Sequence, residues 1–158
     1  MTVDRTISLS IARKELEECR EFAAAFGWIV SQIDEEAMTF GAVLTSHVDN
    51  EAYRLSVKFD NYREYPLLIE FVPEEGKTLK SAYPQCNDGF FHSFPCICNP
   101  CSRKAYDSIV QGAPHKDWNL ADWQHNEKTG SLKSIKWILR AIQSRIDDPD
   151  RYQGRMER

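Results

Sequence analysis

The chain lacks a long apolar run, an internal repeat, a low-complexity segment and any excess of basic charge. Its longest apolar stretches, such as Pro66-Leu-Leu-Ile and Trp28-Ile-Val, are far shorter than the roughly 20 residues that cross a bilayer. No membrane is expected as a partner. The opening Met-Thr-Val-Asp-Arg has no apolar core of the signal-peptide kind, so the expected location is cytoplasmic. Lys and Arg number 20 against 24 Asp and Glu, a formal net charge of −4. Nucleic-acid binding usually calls for a basic face, and that class is not expected either.

The residues present suit one domain, 1–158, with 151–158 as a polar tail that frays. At 158 residues the chain can bury about two-thirds of its unfolded surface. The apolar positions Ala12, Leu16, Cys19, Ala23 and Phe26 form one stripe at helical spacing. They predict a helix over Ser10–Phe26, with Ser10 as N-cap, Gly27 as stop and Cys19 as a small buried residue. Four strands are then expected, over Trp28–Ile33, Ala37–Ser46, Ala52–Phe59 and Tyr65–Val72. Short connections join them, which favours an antiparallel meander. From Pro73 to about Gly130 the periodicity stops, and a long loop with a short helix over Ser102–Val110 is expected. Leu132, Ile135, Leu139, Ile142 and Ile146 restore helical spacing, with Asp148-Pro149 as the stop. Phe22 and Trp137 read as core residues. The fold class is therefore α+β: an N-terminal helix, a four-stranded antiparallel meander, a long loop and a C-terminal helix.

The loop holds four of the five cysteines and three of the four histidines. Loops this long inside a compact domain are usually functional. Three of its thiols fall in His92-Ser-Phe-Pro-Cys96-Ile-Cys98-Asn-Pro-Cys101. In a reducing compartment clustered cysteines are thiols or metal ligands, not disulfides. Two chemistries are open to them. Asn99-Pro100-Cys101 has the form of a helix start, with Asn as N-cap and Pro at the first helical position. A helix N-terminus lowers a thiol pKa, and Arg103 and Lys104 add positive charge, so Cys101 is a candidate nucleophile. Alternatively, His92, Cys96, Cys98 and Cys101 form a possible zinc set of one imidazole and three thiolates. Against zinc, Cys-x-Cys is tight for one tetrahedral ion, and a single compact run would stabilise only its own loop. Inert packing is the third possibility. Cys86 reads as a buried thiol. Pro114-His-Lys-Asp-Trp118 reads as a turn anchored by a buried Trp, or as a wall of a reactive cleft.

The order of these elements resembles the ubiquitin-conjugating enzyme fold, and three stretches carry the resemblance. Leu55-Ser-Val-Lys-Phe59-Asp-Asn-Tyr-Arg-Glu-Tyr65-Pro66-Leu-Leu-Ile-Glu-Phe71 is similar to that family's strand pair with its Tyr-Pro step. His92 followed nine residues later by Cys101 is similar to the histidine that leads into the active-site cysteine. Trp123, or Trp118, followed by the 131–147 segment and Asp148-Pro149, is similar to the family's tryptophan, helix and Asp-Pro stop. In several places the chain departs from the family: His92-Ser-Phe stands where His-Pro-Asn is usual, so the oxyanion asparagine is displaced, with Asn99 as a substitute. These departures resemble a divergent bacterial branch, the stand-alone conjugating enzymes of CBASS anti-phage operons.

That resemblance implies a transferase that holds a partner's C-terminus as a thioester on Cys101 and passes it to a lysine. Cys98 is the alternative nucleophile, because Ile97-Cys98 resembles the family's Ile-Cys pair. His92, Asn99 and His115 are then candidates for polar assistance, with His115 or Asp117 taking a proton from the incoming amine. The implied partner is a cGAS-like cyclic-nucleotide synthase in anti-phage defence, with an activating enzyme as a further partner the resemblance admits. No cofactor is expected under this reading, and zinc is expected under the alternative. The rivals are a zinc-stabilised binding module and an inactive conjugating-like interaction domain.

Overall fold

A computed structural model describes residues 3–106 and 118–158. Helix α1 runs Arg5–Glu18 and α2 runs Arg20–Phe26, with Cys19 at the break between them. The helical segment begins earlier than the apolar stripe suggests. Asp4, not Ser10, is the N-cap, and its carboxylate accepts from the Thr6 amide at 2.8 Å. Gly27 ends α2 in the left-handed region at φ 75°, as expected of a glycine stop. Cys19 is buried, as its place on the stripe implies.

Four strands come next in the order β1-β2-β3-β4, all neighbours antiparallel: β1 Ile29–Val30, β2 Thr39–Thr45, β3 Ala52–Lys58 and β4 Leu68–Phe71. The meander is as expected, with β1 and β4 much shorter than the apolar runs that announce them. The register places inward residues opposite one another, Phe40 with Val57, Ala42 with Leu55, Leu44 with Tyr53, and Leu55 with Phe71. A slip of one residue would turn this whole set outward.

Helix α3, Ile135–Ile146, covers that face with Ile135, Ile138, Leu139, Ile142 and Ile146, all buried. Its start lies after Ser131, because 131–133 forms turns and the helix takes Ser134 as N-cap. Gln143 is buried and fully used: its Oε1 accepts from Trp28 Nε1 at 2.9 Å, and its Nε2 donates to the Thr45 carbonyl at 2.9 Å. A buried amide survives in a core only when bonded in this way. Trp137, expected in the core, is 45% exposed and packs at the surface edge-on to Phe22.

Between β4 and α3, the stretch 73–106 contains the short 3-10 helix Leu79–Ala82 and then β5, Pro84–Cys86. A hairpin of β6 (Phe91–His92) and β7 (Cys96–Ile97) and the 3-10 turn Arg103–Tyr106 complete it. Residues 107–110 of the expected loop helix lie outside the described residues, and within them the turn is 3-10. Two further 3-10 segments, Leu120–His125 and Glu127–Thr129, lead back to α3. The C-terminal segment does not fray. Strand β8, Tyr152–Arg155, pairs antiparallel with β5, and the Met156 amide donates to the Tyr83 carbonyl.

One carboxylate joins the helices to the meander. Glu15 is 1% exposed; its Oε1 accepts from Tyr62 Oη at 2.7 Å and from the Ile135 amide at 2.8 Å. Its Oε2 accepts from Arg63 Nε at 2.8 Å and Nη2 at 2.7 Å. Replacing Glu15 by Ala strands the buried Tyr62 hydroxyl and the α3 N-terminus. The expected loss is about 3 kcal/mol, read as a lower denaturant midpoint with an unchanged slope.

Candidate thiol site

The β6–β7 hairpin sets the geometry of the cysteine run. His92 pairs with Cys96 and Phe91 with Ile97, and His92 Nδ1 accepts from the Phe94 amide at 3.0 Å. The imidazole therefore braces the hairpin turn. Immediately after β7 the Cys98 amide donates to the Phe90 carbonyl at 2.7 Å, which fixes the thiol at the hairpin's exit.

The hairpin and the turn beyond it send neighbouring thiols in different directions. Cys101 is 0% exposed and belongs to the main core with Ile97, Phe91 and Trp123. Cys96 is buried in a smaller cluster with Ala105 and Trp118, against which Phe94, Tyr106 and Cys98 pack. Cys98 is the one thiol of the chain with partial exposure. The zinc set is thus divided between two clusters, and no group of three His, Cys, Asp or Glu able to hold a metal occurs among the described residues.

The activated Cys101 that the Asn-Pro-Cys start predicts is not what the packing produces. Asn99 does cap: its Oδ1 accepts from the Cys101 amide at 2.9 Å. The chain then enters a four-residue 3-10 turn beginning at Arg103, not a helix opening at the thiol. Burial pushes the Cys101 thiol up to about 12, against smaller lowering effects of its own backbone and Arg145. The charges credited to its surroundings are also committed elsewhere. Arg103 Nη1 bonds Asp60 Oδ1 at 2.9 Å, and Lys104 Nζ lies 3.5 Å from Glu70.

Cys98 is raised too, first by burial, and the charge of Lys128 pulls the other way. Lys128 lies in the 3-10 segment Glu127–Thr129. Its carbonyl accepts from Asn99 Nδ2 at 3.0 Å, and its ammonium sits 5.8 Å from the Trp118 ring centre. Nothing in local spacing marks Lys128 as a neighbour of the thiols, because it arrives from 30 residues beyond Cys98. Asn99 is engaged at both ends of its carboxamide, so it braces the loop in this conformation. Ser102, buried beside Cys101, has a hydroxyl with no hydrogen-bond partner among the described residues.

Of the remaining candidates, Cys86 is buried and pushed up to about 12 by that burial. Trp118 and Trp123 are both buried, and Trp123 Nε1 donates to the Arg63 carbonyl at 2.8 Å. His115 and Asp117 lie outside the described residues. Around Lys128 a surface cavity of about 310 Å3 is lined by Asn119, Asp122, Asn126 and Glu127. Among the described residues no helix is long and apolar enough to cross a membrane. No protein-family model matches the chain, and no curated protein matches it.

Two measurements check this geometry. Limited alkylation of the native protein, mapped by peptide mass, is expected to modify Cys98 first and Cys101 only after unfolding; early modification of Cys101 would contradict its burial. Cys19, Cys86 and Cys101 all have folded values of about 12, above the unfolded thiol's roughly 8.5. Their contribution to stability is complete below about pH 8.5 and is lost as pH climbs toward about 12. Thermal midpoints should fall over that window, and less steeply in Cys101→Val, which has no thiol there to ionise.

Proposed function

We propose that the chain is a divergent transferase of the ubiquitin-conjugating type, with Cys98 rather than Cys101 as the acyl-carrying thiol. The observation that carries this reading is the position of Cys98. It is partly exposed and fixed at the exit of a hairpin, in chain order between a four-stranded antiparallel sheet and a C-terminal helix. A thiol that exchanges acyl groups must meet an incoming thioester carbonyl, and a thiol with no exposed surface cannot.

In the proposed sequence, Cys98 thiolate attacks the donor thioester at the C-terminus of the partner protein, and the donor thiol leaves. A lysine amine then attacks the Cys98 thioester, the Cys98 thiolate departs, and the amine loses its proton as the isopeptide bond forms. The backbone N–H groups of Asn99, Cys101, Ser102 and Arg103 are all bonded within the fold, so an oxyanion donor at Cys98 requires one of these bonds to open; His92 and Asn99 hold the loop in shape. Asp122 and Glu127 line the cavity around Lys128, and their charge attracts an incoming ammonium. The partner favoured by the resemblance is a cGAS-like cyclic-nucleotide synthase, delivered by an activating enzyme.

One observation favours a second reading. The Cys98 and Cys101 thiols are both raised, not lowered, which suits a conjugating-like domain that binds a partner without chemistry. Mass spectrometry separates the two. The protein is incubated with a cGAS-like cyclic-nucleotide synthase, an activating enzyme and ATP. The expected product is a covalent adduct, labile to hydroxylamine, that persists in Cys101→Ala and is lost in Cys98→Ala. Loss only in Cys101→Ala would return the role to Cys101, and no adduct in the wild type would favour the binding domain.

A further inference from the structure

A second concavity, of about 240 Å3, opens where the start of β3 meets the chain beyond β4 and the C-terminal residues after β8. We propose that it is a binding site for a compact polyanion, a phosphate or diphosphate group. The reason is charge, once engaged side chains are separated from unengaged ones.

Arg155 forms a fixed wall. Its Nε and Nη2 donate to Glu51 Oε2 at 3.0 and 2.9 Å, its Nη1 to the Ser81 carbonyl at 3.0 Å, and its Nη2 also to the Ala52 carbonyl at 2.7 Å. It neutralises Glu51 and stays in place. Glu157 accepts from Thr78 Oγ1 at 2.8 Å. Arg54, Lys77 and Arg158 also line the concavity, and no ion-pair partner holds any of them among the described residues. Two carboxylates oppose them there: Glu74, and Glu157, which the Thr78 hydroxyl orients without neutralising. With Arg155 and Glu51 paired, three cations face two carboxylates, Glu74 and Glu157, which leaves a surplus of one positive charge in a chain whose formal net charge is −4.

The three cations come from separate segments: Arg54 from β3, Lys77 from the turn beyond β4, and Arg158 from beyond β8. Single solvated lysines are ordinary on a protein surface, but convergence of three segments on one hollow is a different matter. Two of the cations are guanidiniums, whose planar forks match phosphate oxygens in pairs. The volume sets the size class. It is below the about 300–1,000 Å3 usual for drug-sized ligands, so a phosphate head-group fits where a whole dinucleotide does not.

The site is tested on the full chain by isothermal titration with inorganic pyrophosphate at constant ionic strength, with ADP as a parallel arm. Saturable binding at one site per chain is expected, weakened about tenfold or more in Arg54→Gln/Lys77→Gln. Neither side chain makes a bond that supports the fold among the described residues, so the double variant is expected to keep its thermal midpoint without ligand. If it fails to fold, Arg158→Gln serves under the same criterion. ADP binding as tightly as pyrophosphate identifies a nucleoside diphosphate as the source, and pyrophosphate alone identifies a free anion; both support the site. No saturable binding by the wild type, or equal binding by the variants, overturns it.

Discussion

The buried carboxylate of Glu15 is the constraint on which the rest of the arrangement depends. It is a charge with almost no water, so it must be fully bonded or fold-breaking. Its four donors come from three residues: Tyr62 and Arg63 in the β3–β4 connection, and the Ile135 amide that opens α3. Helix α1 therefore fixes where the C-terminal helix begins and where the β3–β4 connection turns. The same connection holds Trp123 through the Arg63 carbonyl, and Trp123 stacks on Tyr62. The thiol loop shares the main core with that Trp through Cys101. The thiol loop is thus packed into the same core that this carboxylate helps to assemble.

From that anchor the loop's chemistry is decided by direction rather than composition. Within β7, Cys96 and Ile97 point to opposite faces, and the strand then ends, so Cys98 and Cys101 take their directions from the turns beyond it. Cys96 turns into the small cluster around Trp118, Cys101 into the main core, and Cys98 to a partly exposed place at the edge of the small cluster. Arg103 reinforces the separation by tying the next turn to Asp60 and to the Pro66 carbonyl, while its own amide bonds the Leu67 carbonyl. Its charge serves the tie and is not free to lower a thiol pKa.

Much of the scaffold is legible in the sequence because it is periodic. The β2 and β3 alternation and the Ile135–Ile146 spacing each report a buried face, and burial is what both patterns encode. The misplacements have physical causes. The α3 start is set by Glu15, 120 residues away, whereas the apolar Leu132 before it suggests a longer helix. The 151–158 tail reads as polar because β8 is held by backbone pairing with β5 and by Arg155, neither of which needs an apolar pattern. Trp137 lies against Phe22 at the surface, where the hydropathy of its ring gives no clue to which side faces water. In the site, Asn99 is legible as a cap, but an activated Cys101 does not come with it. A cap shows where a turn begins, and the depth of the turn in the protein decides whether a thiol beside it can ionise.

Depth also sets the clustered thiols apart from one another. Cys101 and Cys96 fill core positions as small apolar groups, and burial keeps both away from reagents in solvent. Cys98 alone combines partial exposure with a nearby cation, Lys128, which opposes the burial that raises it. Lys128 is held at that point by Asn99 on one side and by the Trp118 ring on the other. The residue that reads as a displaced oxyanion donor thus has a different use in this conformation: it ties the strand exit to the segment that brings positive charge to the most accessible thiol of the chain.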